Sequence, residues 1–147
     1  MQLHPALVVR QITIVYMALL LGQIIFGVIL FLVTVPESLQ TSPSLRTTLL
    51  VVVTAVALVS ITAVNLLFTS KLESIRKLED ETVRLRRYLT LNIVRYASYE
   101  APTLIALAGY TITSSALFLG IAFLLIALFI TIRPTSAKLS SDIQVPL

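Results

Sequence analysis

The chain has 147 residues, 57% of them hydrophobic and only 12% charged, with a net charge of +4. That length has room for one domain, and a soluble domain would carry about 25% charged residues. A lipid environment accounts for the deficit, because hydrocarbon penalises charge and accepts Leu, Ile, Val and Ala all round a helix. With no cysteine in the sequence, disulfides, thiolate metal sites and thiol nucleophiles are excluded. The single histidine, His4, cannot form a cluster, so no metal or other cofactor is expected. The basic residues sit between apolar stretches, where they act as topology signals, so no nucleic-acid partner is implied.

In chain order, four apolar stretches predict an all-α membrane protein, a bundle of four transmembrane helices. The first covers residues 11–35 and stops at Pro36, which continues a helix poorly. A single Arg10 precedes it, its length exceeds the roughly 7 to 15 residues of a signal-peptide core, and no small-residue cleavage site follows, so it is expected to remain as a helix. The second covers about 47–68, the third about 96–112, and the fourth about 116–132, ahead of Arg133-Pro134. A hydrocarbon core of about 30 Å needs roughly 17 to 25 helical residues. The first two stretches meet that easily, while the last two sit at the short limit.

Residues 69–95 are charged yet contain no Gly or Pro. Glu73 and Lys77, and Asp80 and Arg84, are spaced i,i+4 with the acid first, the better order for a helix. Ile75, Leu78, Thr82, Leu85 and Leu89 recur by threes and fours. The pattern predicts helix on both sides of a tight reversal near residues 79–82, so that the second and third helices project from the membrane as a hairpin. The competing reading is one amphipathic helix lying on the membrane, which this stripe, short of bulky residues, fits less well.

Orientation follows from the basic residues. Arg10, seven between the second and third stretches (Lys71, Arg76, Lys77, Arg84, Arg86, Arg87, Arg95), and Arg133 and Lys138 in the tail at 133–147 share one side after four crossings, against Arg46 alone on the other. The positive-inside bias therefore puts both termini and the hairpin in the cytoplasm.

A few polar residues interrupt the apolar stretches. Glu100, in Tyr99-Glu100-Ala101-Pro102, lies about one turn inside the third span, where an ionisable group is costly and is a functional candidate by default. Pairing with Arg10, Arg95 or Arg133, or reaching the lipid headgroups, would give it a structural role; a proton or cation would give it a transport role. Pro102, if inside the helix, should kink it and release the Ser98 carbonyl. Asn65, Gln11 and Arg10 lie at a matching depth and are expected to gather with Glu100 as an interhelical polar cluster or possible ion site. Gln23 is near the middle of the first span and should find a buried interhelical hydrogen bond, with Gly22 and Gly27 permitting close approach beside it. Thr54, Ala57, Ser60 and Ala63 mark a face of small residues on the second helix, suited to tight packing.

Rotary-ATPase proteolipids need Gly-rich helices and a mid-membrane carboxylate, and small multidrug exporters need a Glu in the first helix; neither pattern is present. The elements Leu21-Gly22-Gln23-Ile24-Ile25-Phe26, Tyr99-Glu100-Ala101-Pro102 and Arg133-Pro134-Thr135 followed by Asp142 resemble an uncharacterised family of small four-helix bacterial membrane proteins of Bacteroidota type. That resemblance implies a bacterial inner (plasma) membrane and four helices, and brings no activity. The expected function is non-enzymatic: an accessory subunit or scaffold in the lipid bilayer, packing against a membrane-protein partner or as a homo-oligomer. The rival is a proton- or cation-coupled channel or transporter subunit using Glu100.

Overall fold

The computed structural model describes residues 5–33 and 42–143, and all its regular structure there is helical. The elements are α1 (Pro5–Val33), α2 (Pro43–Arg76), α3 (Glu81–Thr113), α4 (Ala116–Thr131) and α5 (Ser136–Ile143). His4, Pro36 and the end of the first predicted stretch lie outside the described residues.

Local chemistry sets the helix ends. Ser42 caps α2 by accepting from the Leu45 amide at 3.4 Å, with Pro43 in the first turn, where its missing N–H costs nothing. The reversal between α2 and α3 occupies residues 77–80, two residues earlier than the spacing predicts. Asp80 makes the difference: its Oδ1 accepts from the Thr82 and Val83 amides at 2.8 and 3.3 Å, so it starts α3 as an N-cap. The expected Asp80–Arg84 pair is accordingly not formed, and Arg84 turns elsewhere. The stripe Ile75, Leu78, Thr82, Leu85 and Leu89 faces inward along the hairpin, with Leu85 fully buried. At the other end Ser114 adopts the left-handed conformation, φ 50°, and its amide donates to the Tyr110 carbonyl at 2.7 Å, closing α3 before α4 begins.

The arrangement is a fan with α3 at its centre. α3 packs against α1, α2, α4 and α5; α1 also touches α4, but α2 meets the membrane part of the protein almost only through α3. Two core clusters result. The larger, at the hairpin end, is aromatic: Tyr16 stacks on Phe129 at 4.9 Å, and Tyr96 stands edge-on to both at 5.5 and 5.7 Å. The smaller, at the opposite end, joins Val53, Ala106, Leu107, Tyr110, Phe118 and Ala122. Its tightest point is Gly109, where a Cβ would meet a Phe118 ring carbon at 2.5 Å. The close approach expected at Gly22 and Gly27 is not found: Gly22 has open space around it, and Gly27 faces the Leu107 side chain at an ordinary 3.5 Å.

Two helices, α1 and α2, are long and apolar enough to cross a membrane, or three if α4 and α5 form one span bent by 69°. α4 alone has 16 residues, about 24 Å at 1.5 Å per residue, short of a hydrocarbon core of about 30 Å. α3 departs from the apolar pattern for a different reason. Wrapped by other helices, it buries Tyr96, Tyr99, Thr103, Tyr110 and Thr113 against protein, and so has no need to be apolar all round. Only 11% of the most apolar stretch of α1 and 17% of that of α2 is buried within the protein, which leaves their outer faces to lipid or to other helices. Pro102 lies inside α3 and is buried there; the helix runs through it without a break.

Candidate functional site

The polar centre of the molecule forms where α2 and α3 leave the apolar region. Asn65 and Phe68 sit one turn apart on α2; Arg95 and Tyr99 sit one turn apart on α3. Antiparallel packing brings the two pairs together. The Asn65 amide donates from Nδ2 to the Tyr99 hydroxyl at 2.9 Å and accepts on Oδ1 from Arg95 Nη2 at 3.0 Å. The Arg95 guanidinium lies 4.3 Å above the Phe68 ring, a cation–π contact, and its Nε is buried with no hydrogen-bond partner. One cation is thereby held between an amide and an aromatic face with no carboxylate beside it.

The other expected members of this cluster lie elsewhere. Arg10 and Gln11 are exposed on α1. Glu100 is half-buried, and among the described residues it has no hydrogen bond or ion pair, to Arg10, Arg95 or Arg133 or to any other group. Arg95 is engaged by Asn65 instead. Gln23 is fully buried as expected, but neither Nε2 nor Oε1 has a partner. It lies under an apolar groove of about 710 Å³ bounded by α1, α3 and α4 and including Gly27, Phe31, Gly120 and Phe123. Among the described residues no group of three or more His, Cys, Asp or Glu side chains is positioned to hold a metal ion.

A second polar group, unforeseen from the sequence, fastens α5. The tail at 133–147 is a helix over Ser136–Ile143 that buries Leu139 and Ile143 against the hairpin. Its carbonyl end is taken up by arginines. Arg76 Nε donates to the Asp142 carbonyl at 2.6 Å, and Arg84 Nη1 donates to the Ile143 carbonyl at 3.2 Å while bonding the Leu78 carbonyl through Nε and Nη2. Cations at a helix C-terminus also complement its dipole. The Tyr88 hydroxyl donates to Asp142 Oδ2 at 2.8 Å; burial first, and the Asp142 carboxylate second, raise its pKa above the ordinary phenol value. The signal in the sequence was the i,i+4 pair Leu139 and Ile143 beside Asp142, a one-sided pattern on an otherwise polar tail.

No family model matches the chain, and no curated protein or solved structure matches it.

Proposed function

We propose that this chain is a small non-enzymatic accessory or scaffold protein of the bacterial inner membrane, packing through its membrane helices against a partner or a second copy. The observation that carries the reading is the isolation of α2. Its membrane stretch is attached to the rest almost only through α3. Leu58, Val59, Thr62, Ala63 and Leu66 form a shallow outward groove there, where the small side chains admit another helix closely. Of the small-residue face, Ala57 is taken up inside the protein, while Thr54 and Ala63 point outward. The α5 latch adds a second argument, since it holds the charged hairpin as one rigid projection suited to protein contact.

The proposal includes four crossings with both termini in the cytoplasm. The turn at Ser114 and Ser115 leads directly from α3 into α4, and α4 packs along α3, which supports pairing a crossing by one with a crossing by the other. The basic residues around the hairpin, the N-terminal segment and the tail then share the cytoplasmic side. The inner-membrane assignment rests on the motif resemblance.

Because the chain has no cysteine, Val59→Cys introduces a single reactive thiol on the outward face of α2. Cross-linking in native membranes should give one discrete adduct, either a dimer or a single heavier species. Absence of any adduct from Val59→Cys and from Leu66→Cys would overturn the scaffold reading. One observation favours a second reading, a proton- or cation-coupled channel: the Glu100 carboxylate is half-buried and unpaired. Flux through liposomes that is abolished by Glu100→Gln would establish it, and no flux in either form would remove it.

A further inference from the structure

The hairpin carries a cleft of about 590 Å³ between α2 and α3, separate from the Asn65–Arg95 centre and from the α5 latch. Its polar residues are Lys71 and Ser74 on α2 and Arg86, Arg87 and Thr90 on α3. Its apolar residues are Leu67, Ile75, Leu91 and Val94, of which Ile75 and Leu91 are buried as a floor while Leu67 and Val94 remain exposed. Both sets follow from helical spacing: 67, 71, 74 and 75 share one face of α2, and 86, 87, 90, 91 and 94 share one face of α3.

Two properties of the cleft stand out. No acidic side chain lines it, although Glu73, Glu79, Asp80 and Glu81 are on the same hairpin. Among the described residues, the side chains of Lys71, Arg86 and Arg87 make no hydrogen bond or ion pair. Three exposed cations therefore line one cleft with no carboxylate beside them, a lining that an anion would complement. The second property is a gradient. Antiparallel packing sets Ser74 and Ile75 beside Arg86 and Arg87 toward the hairpin tip, and Leu67 beside Val94 toward the apolar region. From Ser74 to Leu67 is roughly 10 Å of helix at 1.5 Å per residue. Over that distance the lining changes from basic and hydroxylic to wholly aliphatic.

An anionic head followed by a hydrocarbon chain matches that gradient, and neither a free anion nor an acidic peptide uses both halves of it. We infer that the cleft binds an anionic phospholipid, its phosphodiester held by Lys71, Arg86 and Arg87 with the Ser74 hydroxyl able to donate to it (the Thr90 hydroxyl already donates to the Arg86 carbonyl), and its acyl chain running along Leu67, Leu91 and Val94 into the bilayer. Basic pockets between membrane helices on the cytoplasmic side are where such headgroups gain most. The inference rests on the membrane reading above, which puts Lys71 at the lipid headgroups with Arg86 and Arg87 about one turn farther out, and is independent of whether α2 has a protein partner.

Delipidated protein in a neutral detergent can be titrated with phosphatidylglycerol and with phosphatidylcholine while bound lipid is counted by native mass spectrometry. Phosphatidylglycerol should bind preferentially, and the variant Lys71→Gln/Arg86→Gln/Arg87→Gln should weaken it by about tenfold or more. Arg86→Lys/Arg87→Lys, which keeps the charge, should retain most of the binding. The variant Arg10→Gln/Lys77→Gln/Arg133→Gln removes as many charges outside the cleft and should bind as the parent does. Equal loss in that control would mean diffuse attraction and overturn the site. Equal binding of phosphatidylcholine would overturn it too, and so would displacement of the lipid by inorganic phosphate, which would make this a free-anion site. A failed cross-link on α2 with lipid binding intact would leave the cleft standing and remove only the scaffold reading.

Discussion

The two ends of the fan treat polar groups in opposite ways. At the hairpin end Asn65 satisfies both sides of its amide, Tyr88 donates to Asp142, and Arg76 and Arg84 close the carbonyl end of α5. Toward the opposite end Gln23, fully buried where Asn65 is half-buried, has a partner for neither atom. The hairpin end thus pairs most of its polar groups, where α2, α3 and α5 converge, although Arg95 Nε and the Tyr96 hydroxyl are buried without partners there. In the other half, α1 and α4 flank a groove and the smaller core is held by shape alone. A buried amide without a partner costs about 1–3 kcal/mol, so Gln23 weakens that half.

The largest effect expected from this contrast is at Gly109. Because a Cβ there would meet the buried Phe118 ring at 2.5 Å, Gly109→Ala should destabilise the protein by about 1–3 kcal/mol. Gly120→Ala, with open space around it, should be neutral. Thermal denaturation in detergent compares the two, and equal midpoints would refute the claim that the opposite end depends on close packing. Next in size is a pair with opposite signs. Asn65→Leu strands Arg95 and Tyr99 and should cost about 1–2 kcal/mol, whereas Gln23→Leu removes an unpaired amide and should stabilise by about 1 kcal/mol. Matching signs in denaturant titrations would dissolve the contrast between the two ends.

The smallest effect is local and depends on pH. Since burial and Asp142 raise the Tyr88 pKa, its contribution is complete below the free phenol value of about 10 and is lost as pH climbs through the higher folded value. Hydrogen exchange in α5, measured relative to the intrinsic base-catalysed rate, should therefore accelerate at strongly alkaline pH. Tyr88→Phe should loosen α5 by about 1 kcal/mol at neutral pH and remove the tyrosine-linked part of the alkaline rise. A rise of unchanged size in Tyr88→Phe would show that another group releases α5.

Much of the fold was legible in the sequence. The hairpin reversal, the turn after Thr113 and the start of α4 were all within about two residues, because caps, charge pairs and apolar length act locally. Side-chain direction was not legible in the same way. α1 and α4 are apolar over most of their surface, so little in their sequence says which face meets a neighbour, and the shared depth of Gln11, Arg10, Asn65 and Glu100 does not make them neighbours. The structure turns Asn65 toward Arg95 and Tyr99, and leaves Arg10 and Gln11 on the outer side of α1. Residues at one level of a bundle meet only if their azimuths agree, and azimuth is decided by packing. The docking of α5 escaped for a related reason: eight residues make a weak periodic signal, and the arginines that receive them lie some 60 positions earlier in the chain.

The central position of α3 also governs how the protein comes into being. A nascent chain delivers its helices in order, and the first two have hardly any surface in common. Until the third arrives they have almost no contact with each other. Tertiary structure can begin only once residues beyond Glu81 have been synthesised, and the final eight-residue helix locks it after the membrane part is complete. A truncated product ending at the hairpin would be two apolar helices with almost nothing to hold them together.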